Sequence, residues 1–113
     1  MKEEDFIIQI QEDMIYVAEY NSEIVGVLSI LYRKIRSEHQ TERNIIFVDT
    51  MVVDEPYIGK GVGHAFFDFL KMKKEELGCD AIELQVNAKN SRALEMYQNY
   101  GFTYKSINME LLE

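Results

Sequence analysis

Hydrophobic positions change period several times along the chain, and each change marks an element. Met14-Ile15-Tyr16-Val17-Ala18-Glu19-Tyr20 and Ile24-Val25-Gly26-Val27-Leu28-Ser29-Ile30-Leu31-Tyr32 are β-prone runs separated by the polar Asn21-Ser22-Glu23, which is the pattern of a β-hairpin. Arg36 to Arg43 is polar and charged and predicts a loop. Asn44 to Val53, strongly β-prone, then predicts a third antiparallel strand. Upstream, Asp5 to Gln11 fits either period poorly; with Asp5 as a cap it is read as the last turns of a helix rather than a short strand.

Asp54 to Lys60 predicts a turn. Val62, Ala65, Phe66, Phe69, Leu70 and Leu77 then recur at helical spacing over Gly61 to Leu77, with Gly78 at the position that ends a helix in a left-handed residue. Lys71, Lys73 and Lys74 fall in its last turns, where positive charge opposes the negative end of the helix dipole. Ala81 to Val86 alternates as a half-buried strand does, and a helical crossover makes it parallel to the third strand. Asn90 or Ser91 caps a second helix running to Tyr100 and stopped by Gly101, and Thr103 to Leu112 predicts a final strand. The fold class is α/β in the α+β sense: a mixed, mostly antiparallel sheet with two late helices.

Composition narrows the chemistry. A length of 113 residues suits one domain, 1–113, with a real core. No apolar run is long enough to cross a bilayer and the first residues lack a signal-peptide pattern, so the expected location is cytoplasmic, with no membrane partner. Cys79 is the only cysteine, and His39 and His64 stand far from partners at zinc spacing, which argues against a disulfide and a structural metal. A net charge of -8 repels polyanions, so nucleic acid is excluded as a partner.

The chemistry-bearing stretch is Val52-Val53-Asp54-Glu55-Pro56-Tyr57-Ile58-Gly59-Lys60-Gly61-Val62-Gly63-His64, a strand, a turn with alternating glycines, and a helix start. Glycines allow positive φ and close approach, so successive amides can converge on an anion at the positive end of the helix dipole. The spacing matches neither a dinucleotide fingerprint nor a P-loop. A pyrophosphate suits such a loop, and so does a plain strand-to-helix turn.

Ile58-Gly59-Lys60-Gly61-Val62-Gly63 resembles the cofactor loop Gln/Arg-x-x-Gly-x-Gly/Ala of the GNAT acetyltransferases. Val86 to Phe102 is similar to the Asn-x-x-Ala-x-x-x-Tyr run of the same family ending in Gly-Phe, and Val17 to Gly26 resembles its early hairpin. The resemblance implies a GNAT-like acyl-CoA N-acyltransferase fold whose central parallel pair of strands splays apart. It implies acetyl-CoA as acyl donor, an amine of a small molecule or peptide as acceptor, and direct attack without an acyl-enzyme.

Carried onto this sequence, the resemblance places the cofactor pyrophosphate against the amides of Gly59, Lys60, Gly61, Val62, Gly63 and His64, with Lys60 able to add positive charge and Ile58 as a further cofactor-binding position that opens the loop. Pantetheine would lie between the strand ending at Val53 and the strand ending at Val86, with Met51 and Val53 as cofactor-binding positions, the Val53 N–H as oxyanion donor and Asn90 binding the cofactor arm. Tyr97 would be the general acid, protonated at neutral pH. A lysine-like amine is neutral in only roughly one molecule in two thousand at pH 7, so a proton acceptor is needed; Asp49 is the first candidate, with Glu83 and Glu19 behind it. Ile58 departs from the Gln or Arg of the family, which removes one side-chain contact to the phosphates.

The resemblance also implies a strand and two helices before the hairpin, of which this sequence holds at most the end of the second helix. That motivates an alternative reading, an acyl-CoA sensor or partner subunit lacking a complete acceptor pocket, and predicts a homodimer covering the exposed wall.

Overall fold

The computed structural model describes residues 6–37 and 40–113; Asp5 and His39, invoked above, lie outside the described residues. Five strands form one sheet in chain order: β1 (Ile7–Glu12), β2 (Ile15–Tyr20), β3 (Glu23–Ser37), β4 (Gln40–Val53) and β5 (Ala81–Leu84). The first four pair antiparallel, and β5 lies parallel to β4. Helix α1 (Val62–Leu77) makes the crossover from β4 to β5, and α2 (Ser91–Tyr100) follows.

Sequence and structure part at four places. Residues 7–12 are a strand, not a helix: a tight turn with Met14 at φ 62° folds them back on β2, so that pairing decides between two poorly matched periods. The charged run from Arg36 to Arg43 is mostly hairpin, because Glu42 accepts Lys34 at 3.1 Å and Arg36 at 2.6 Å across the strands. Residues 103–113 form no strand; alternation supplies a face but not a ladder partner. Among the described residues no strand lies beyond β5, so the parallel pair ends the sheet instead of standing at its centre.

The core lies between the sheet and α1. Ala18, Val25, Leu28, Ile30 and Ile46 from the strands meet Val62, Phe66, Phe67 and Leu70 of the helix, and no described polar side chain is buried. Gly26 makes the approach possible: a Cβ there would stand 3.0 Å from Phe66 and Val62 side-chain carbons and 3.1 Å from the Val52 carbonyl oxygen. Both helices end as their sequences direct, Gly78 and Gly101 taking positive φ. An aromatic cluster of Phe67, Tyr97, Tyr100 and Phe102 joins α2 to α1.

Candidate active site

Strands β4 and β5 pair from Ile45↔Ala81 to Val48↔Leu84 and no further. β4 runs on to Val53, held by β3 alone, so residues 49–53 have a strand on one side only. The break coincides with a bulge: Ile30 pairs with Val48 and Ser29 with Thr50, leaving Asp49 as the extra residue. The bulge resets the alternation. Val48 faces the core before it, Met51 and Val53 pack against the core after it, and Asp49 and Thr50 are both exposed.

Amides alternate sides along an extended strand. The Asp54 N–H donates to the Val25 carbonyl on β3 at 2.9 Å, so the N–H groups of Val53 and, two residues earlier, Met51 point away from β3, into the slot beyond Leu84. These are the two positions the sequence assigned to the slot.

The loop at the end of β4 is a short 3₁₀ turn, Glu55–Tyr57, then Ile58 and two glycines at positive φ, Gly59 at 80° and Gly61 at 103°. Gly63 is inside the helix and needs no such freedom. The N–H groups of Ile58 and Lys60 donate within the loop, to Glu55 at 3.2 Å and Tyr57 at 3.1 Å. Among the described residues, those of Gly59, Gly61, Val62 and Gly63 donate to no main-chain carbonyl. Gly61 caps α1 without a side chain, and the first turn carries no acidic residue. The result is a row of free donors at the positive end of a helix, open to an anion.

Around this row the sequence-assigned side chains take distinct positions. Asn90 caps α2, its Oδ1 accepting from the Ala93 N–H at 3.2 Å, which leaves its amide NH₂ as a donor. Tyr97 is half-buried, its ring edge-on to Phe67 at 5.7 Å and Phe102 at 5.9 Å, and burial pushes its hydroxyl above the ordinary tyrosine value. It is therefore protonated throughout the neutral range. The His64 imidazole lies 3.7 Å from the Asp68 carboxylate and edge-on to Tyr100, whose hydroxyl donates to Asp68. Of the proposed proton acceptors, Asp49 is exposed at the bulge, whereas Glu83 is held by Lys105 at 2.7 Å.

A cleft of about 380 Å³ lies between the helices, lined by His64 and Phe67 from α1 and by Arg92, Glu95, Met96, Asn99 and Tyr100 from α2. Sequence reasoning assigned no role to Arg92 or Asn99. The signal was the seven-residue spacing, which puts both on one face of α2, and Arg92 stands two residues after the cap.

The sequence matches the acetyltransferase (GNAT) family over residues 1–102. It is 35% identical over 78 residues to the mycothiol acetyltransferase of Propionibacterium freudenreichii subsp. shermanii, covering 69% of this chain and 24% of that protein. It is 29% identical over 87 residues to the spermine/spermidine N(1)-acetyltransferase of Bacillus subtilis, covering 75% of this chain and 56% of that one. The chain thus spans well under two thirds of these curated relatives. Among solved structures, a mutant of the BH1408 protein from Bacillus halodurans superposes with a TM-score of 0.80 at 25% identity, over 89% of this chain and 67% of that one. The aminoglycoside N-acetyltransferase AAC(6')-Iy in complex with CoA gives 0.75 at 14% identity, over 91% and 78%, a likeness of fold. By sequence match and by fold, this chain belongs to the GNAT acetyltransferase family.

Proposed function

We propose that this chain transfers an acetyl group from acetyl-CoA to a primary amine by direct attack. The observation that carries the reading is the slot: β4 continues for five residues after β5 stops, with the N–H groups of Met51 and Val53 turned into the gap and a row of free amides at its end. The donors at Gly59, Gly61, Val62 and Gly63 fit a pyrophosphate, and those of the strand fit an extended amide-bearing arm. CoA carries both, its amide-bearing pantetheine arm joined directly to a pyrophosphate.

In the transfer, the amine nitrogen attacks the thioester carbonyl carbon; a C–N bond forms and the C–S bond breaks. The Val53 N–H stabilises the oxyanion, and the Tyr97 hydroxyl gives its proton to the departing thiolate. The ammonium proton leaves through water to Asp49, the exposed carboxylate at the bulge. Lys105 occupies Glu83, which favours Asp49 over that residue. Holding both reactants side by side supplies much of the rate.

One observation favours the sensor reading as second choice. Asp49, Thr50 and Val52 are exposed, and both described helices pack on the α1 side, so no described helix walls the acceptor side of the slot. Two measurements separate the readings. Acetyl-CoA must raise the melting temperature under either one, because it binds only the folded state. Release of free CoA thiol over a panel of polyamines, aminoglycosides, amino acids and peptides identifies an enzyme; a melting shift with no thiol release on any amine identifies a sensor. No shift at all refutes both.

A further inference from the structure

One polar cluster joins the two helices at the head of the glycine loop. His64 stands in the first turn of α1, directly after Gly61, Val62 and Gly63, and lines the cleft against α2. Its imidazole is held from both helices. Nδ1 lies 3.7 Å from the Asp68 carboxylate one turn along α1, and the ring stands edge-on to Tyr100 of α2 with the centroids 5.0 Å apart. Tyr100 in turn donates its hydroxyl to Asp68. With Nδ1 facing Asp68, Nε2 is the nitrogen turned away from that carboxylate, so Asp68 sets the direction in which the ring presents its second nitrogen.

We infer that His64 makes the grip on the donor's phosphates depend on pH, tightening as the imidazole gains a proton, with Asp68 as the residue that positions it. This rests on the acetyl-CoA reading above and adds a regulatory property to the same site. Histidine is the side chain whose ordinary titration falls between pH 5 and 8. The other charged groups around it are Asp68 on its own helix, Lys60 four residues earlier on the loop, and Arg92 and Glu95 on the facing helix. Carboxylates, ammonium groups and guanidinium groups ordinarily keep their charge across that window.

The sign follows from linkage. Above the histidine range a phosphate at the head of α1 meets a neutral ring and the charge of Asp68; below it, an imidazolium offsets that charge. Affinity therefore rises as pH falls, and the gain is lost as pH rises through the titration of the bound state. The side chains of His64 and Asp68 are 57% and 50% exposed, so solvent screening limits the gain to about two- to fivefold in Kd. The effect is reciprocal: bound donor raises the titration midpoint of the ring by the logarithm of the same factor, about 0.3–0.7 pH unit.

Isothermal titration of the full chain with acetyl-CoA at about pH 5.5 and about pH 8 tests this in wild type, His64→Gln and Asp68→Ala. The phosphate monoester of CoA itself titrates at about pH 6, and His39 is present in every chain, so the ratio of the two Kd values is compared between chains and both contributions cancel. That ratio should be about two- to fivefold larger in wild type than in His64→Gln, with Asp68→Ala falling to the His64→Gln value. Proton NMR of the wild type gives the reciprocal quantity without relying on a variant's fold: the midpoint of the His64 ring signal should rise on saturation with acetyl-CoA. Equal ratios in wild type and His64→Gln, or a midpoint that acetyl-CoA leaves in place, would overturn the inference, and a wild-type ratio in Asp68→Ala would remove Asp68 from it. Acetyl-CoA that binds at neither pH would sink the reading of the site itself, and this inference with it.

Discussion

Gly59→Ala isolates the glycine loop, because nothing else at that position opposes a methyl group. Gly59 sits at φ 80° with no heavy atom within 4 Å of the site a Cβ would take, so the substitution brings backbone strain without a clash. Holding an L-residue in left-handed backbone costs about 1–2 kcal/mol. The reduced freedom of the unfolded chain returns about 0.4–1 kcal/mol, which leaves a net loss near 1 kcal/mol. For a domain of this size that is about 4 °C in melting temperature.

Where the loss appears depends on whether the free loop keeps its conformation. If it does, the unliganded variant melts lower and binds acetyl-CoA as the wild type does. If the loop relaxes to negative φ, the unliganded melting temperature changes less, and binding must restore the left-handed residue, weakening affinity by about fivefold per kcal/mol. The sum is the same by either route, since the liganded state needs the same amide direction. Differential scanning calorimetry at saturating acetyl-CoA, with isothermal titration for affinity, measures both parts. A liganded Gly59→Ala chain as stable as the liganded wild type would show that the cofactor does not use this loop conformation, and the proposed phosphate cradle would be wrong.

Substitutions at three other positions address single contacts. Tyr97→Phe keeps the ring packed on Phe67 and Phe102 and removes only the hydroxyl, so turnover should fall by about 10²–10⁴ with acetyl-CoA affinity little changed; an unaltered rate removes Tyr97 from the mechanism. Because its hydroxyl titrates above the unfolded tyrosine value, its contribution to stability is complete below about pH 10 and declines as pH rises through the raised folded value, which alkaline melts of wild type and Tyr97→Phe compare. Asn90→Ala should cost about 1 kcal/mol through loss of the α2 cap, whereas Asn90→Ser keeps the cap; weaker acetyl-CoA binding in both variants assigns the lost NH₂ to the cofactor, and unchanged binding in the serine variant assigns Asn90 to capping alone. Gly26→Ala forces a methyl against Phe66, Val62 and the Val52 carbonyl oxygen and should cost about 1–3 kcal/mol in urea unfolding, and an unchanged midpoint would contradict the close packing of α1 on the sheet.

Elements whose signals are local were readable. Helices α1 and α2 have strong periodicity and a glycine at each stop, and the β2–β3 turn falls on Asn21 and Ser22, both at positive φ. Elements settled by a distant partner were not. Residues 7–12 become a strand because β2 is there to pair with, and residues 103–113, for all their alternation, lie in no ladder of the sheet. The polar run after Arg36 looks like a loop by composition, yet Glu42 neutralises two basic side chains across the strands and the hairpin continues. Within the candidate site, the positive-φ turn at the glycine loop and the helix cap at Asn90 were legible as local geometry. The cleft of Arg92 and Asn99 was not, since its depth comes from how α2 leans on α1.

The slot itself follows from two local events on neighbouring strands. On β4, the pair Asp49-Thr50 interrupts an otherwise apolar run, and the bulge it forms, a device that adds local twist, falls where the pairing with β5 ends. On β5, apolar alternation gives way to Asn87, whose Oδ1 accepts from the Lys89 N–H at 2.8 Å and turns the chain toward the cap at Asn90. Neither event alone opens a gap: a bulged β4 could still be followed by a long β5, and a short β5 beside a straight β4 leaves an edge but no divergence. Together they leave the N–H groups of Met51 and Val53 without a β5 partner just before the chain enters the glycine loop, where the donors of Gly61, Val62 and Gly63 follow. An acyl donor needs both sets if its carbonyl and its phosphates are to be gripped at once, and both are written in short stretches of sequence.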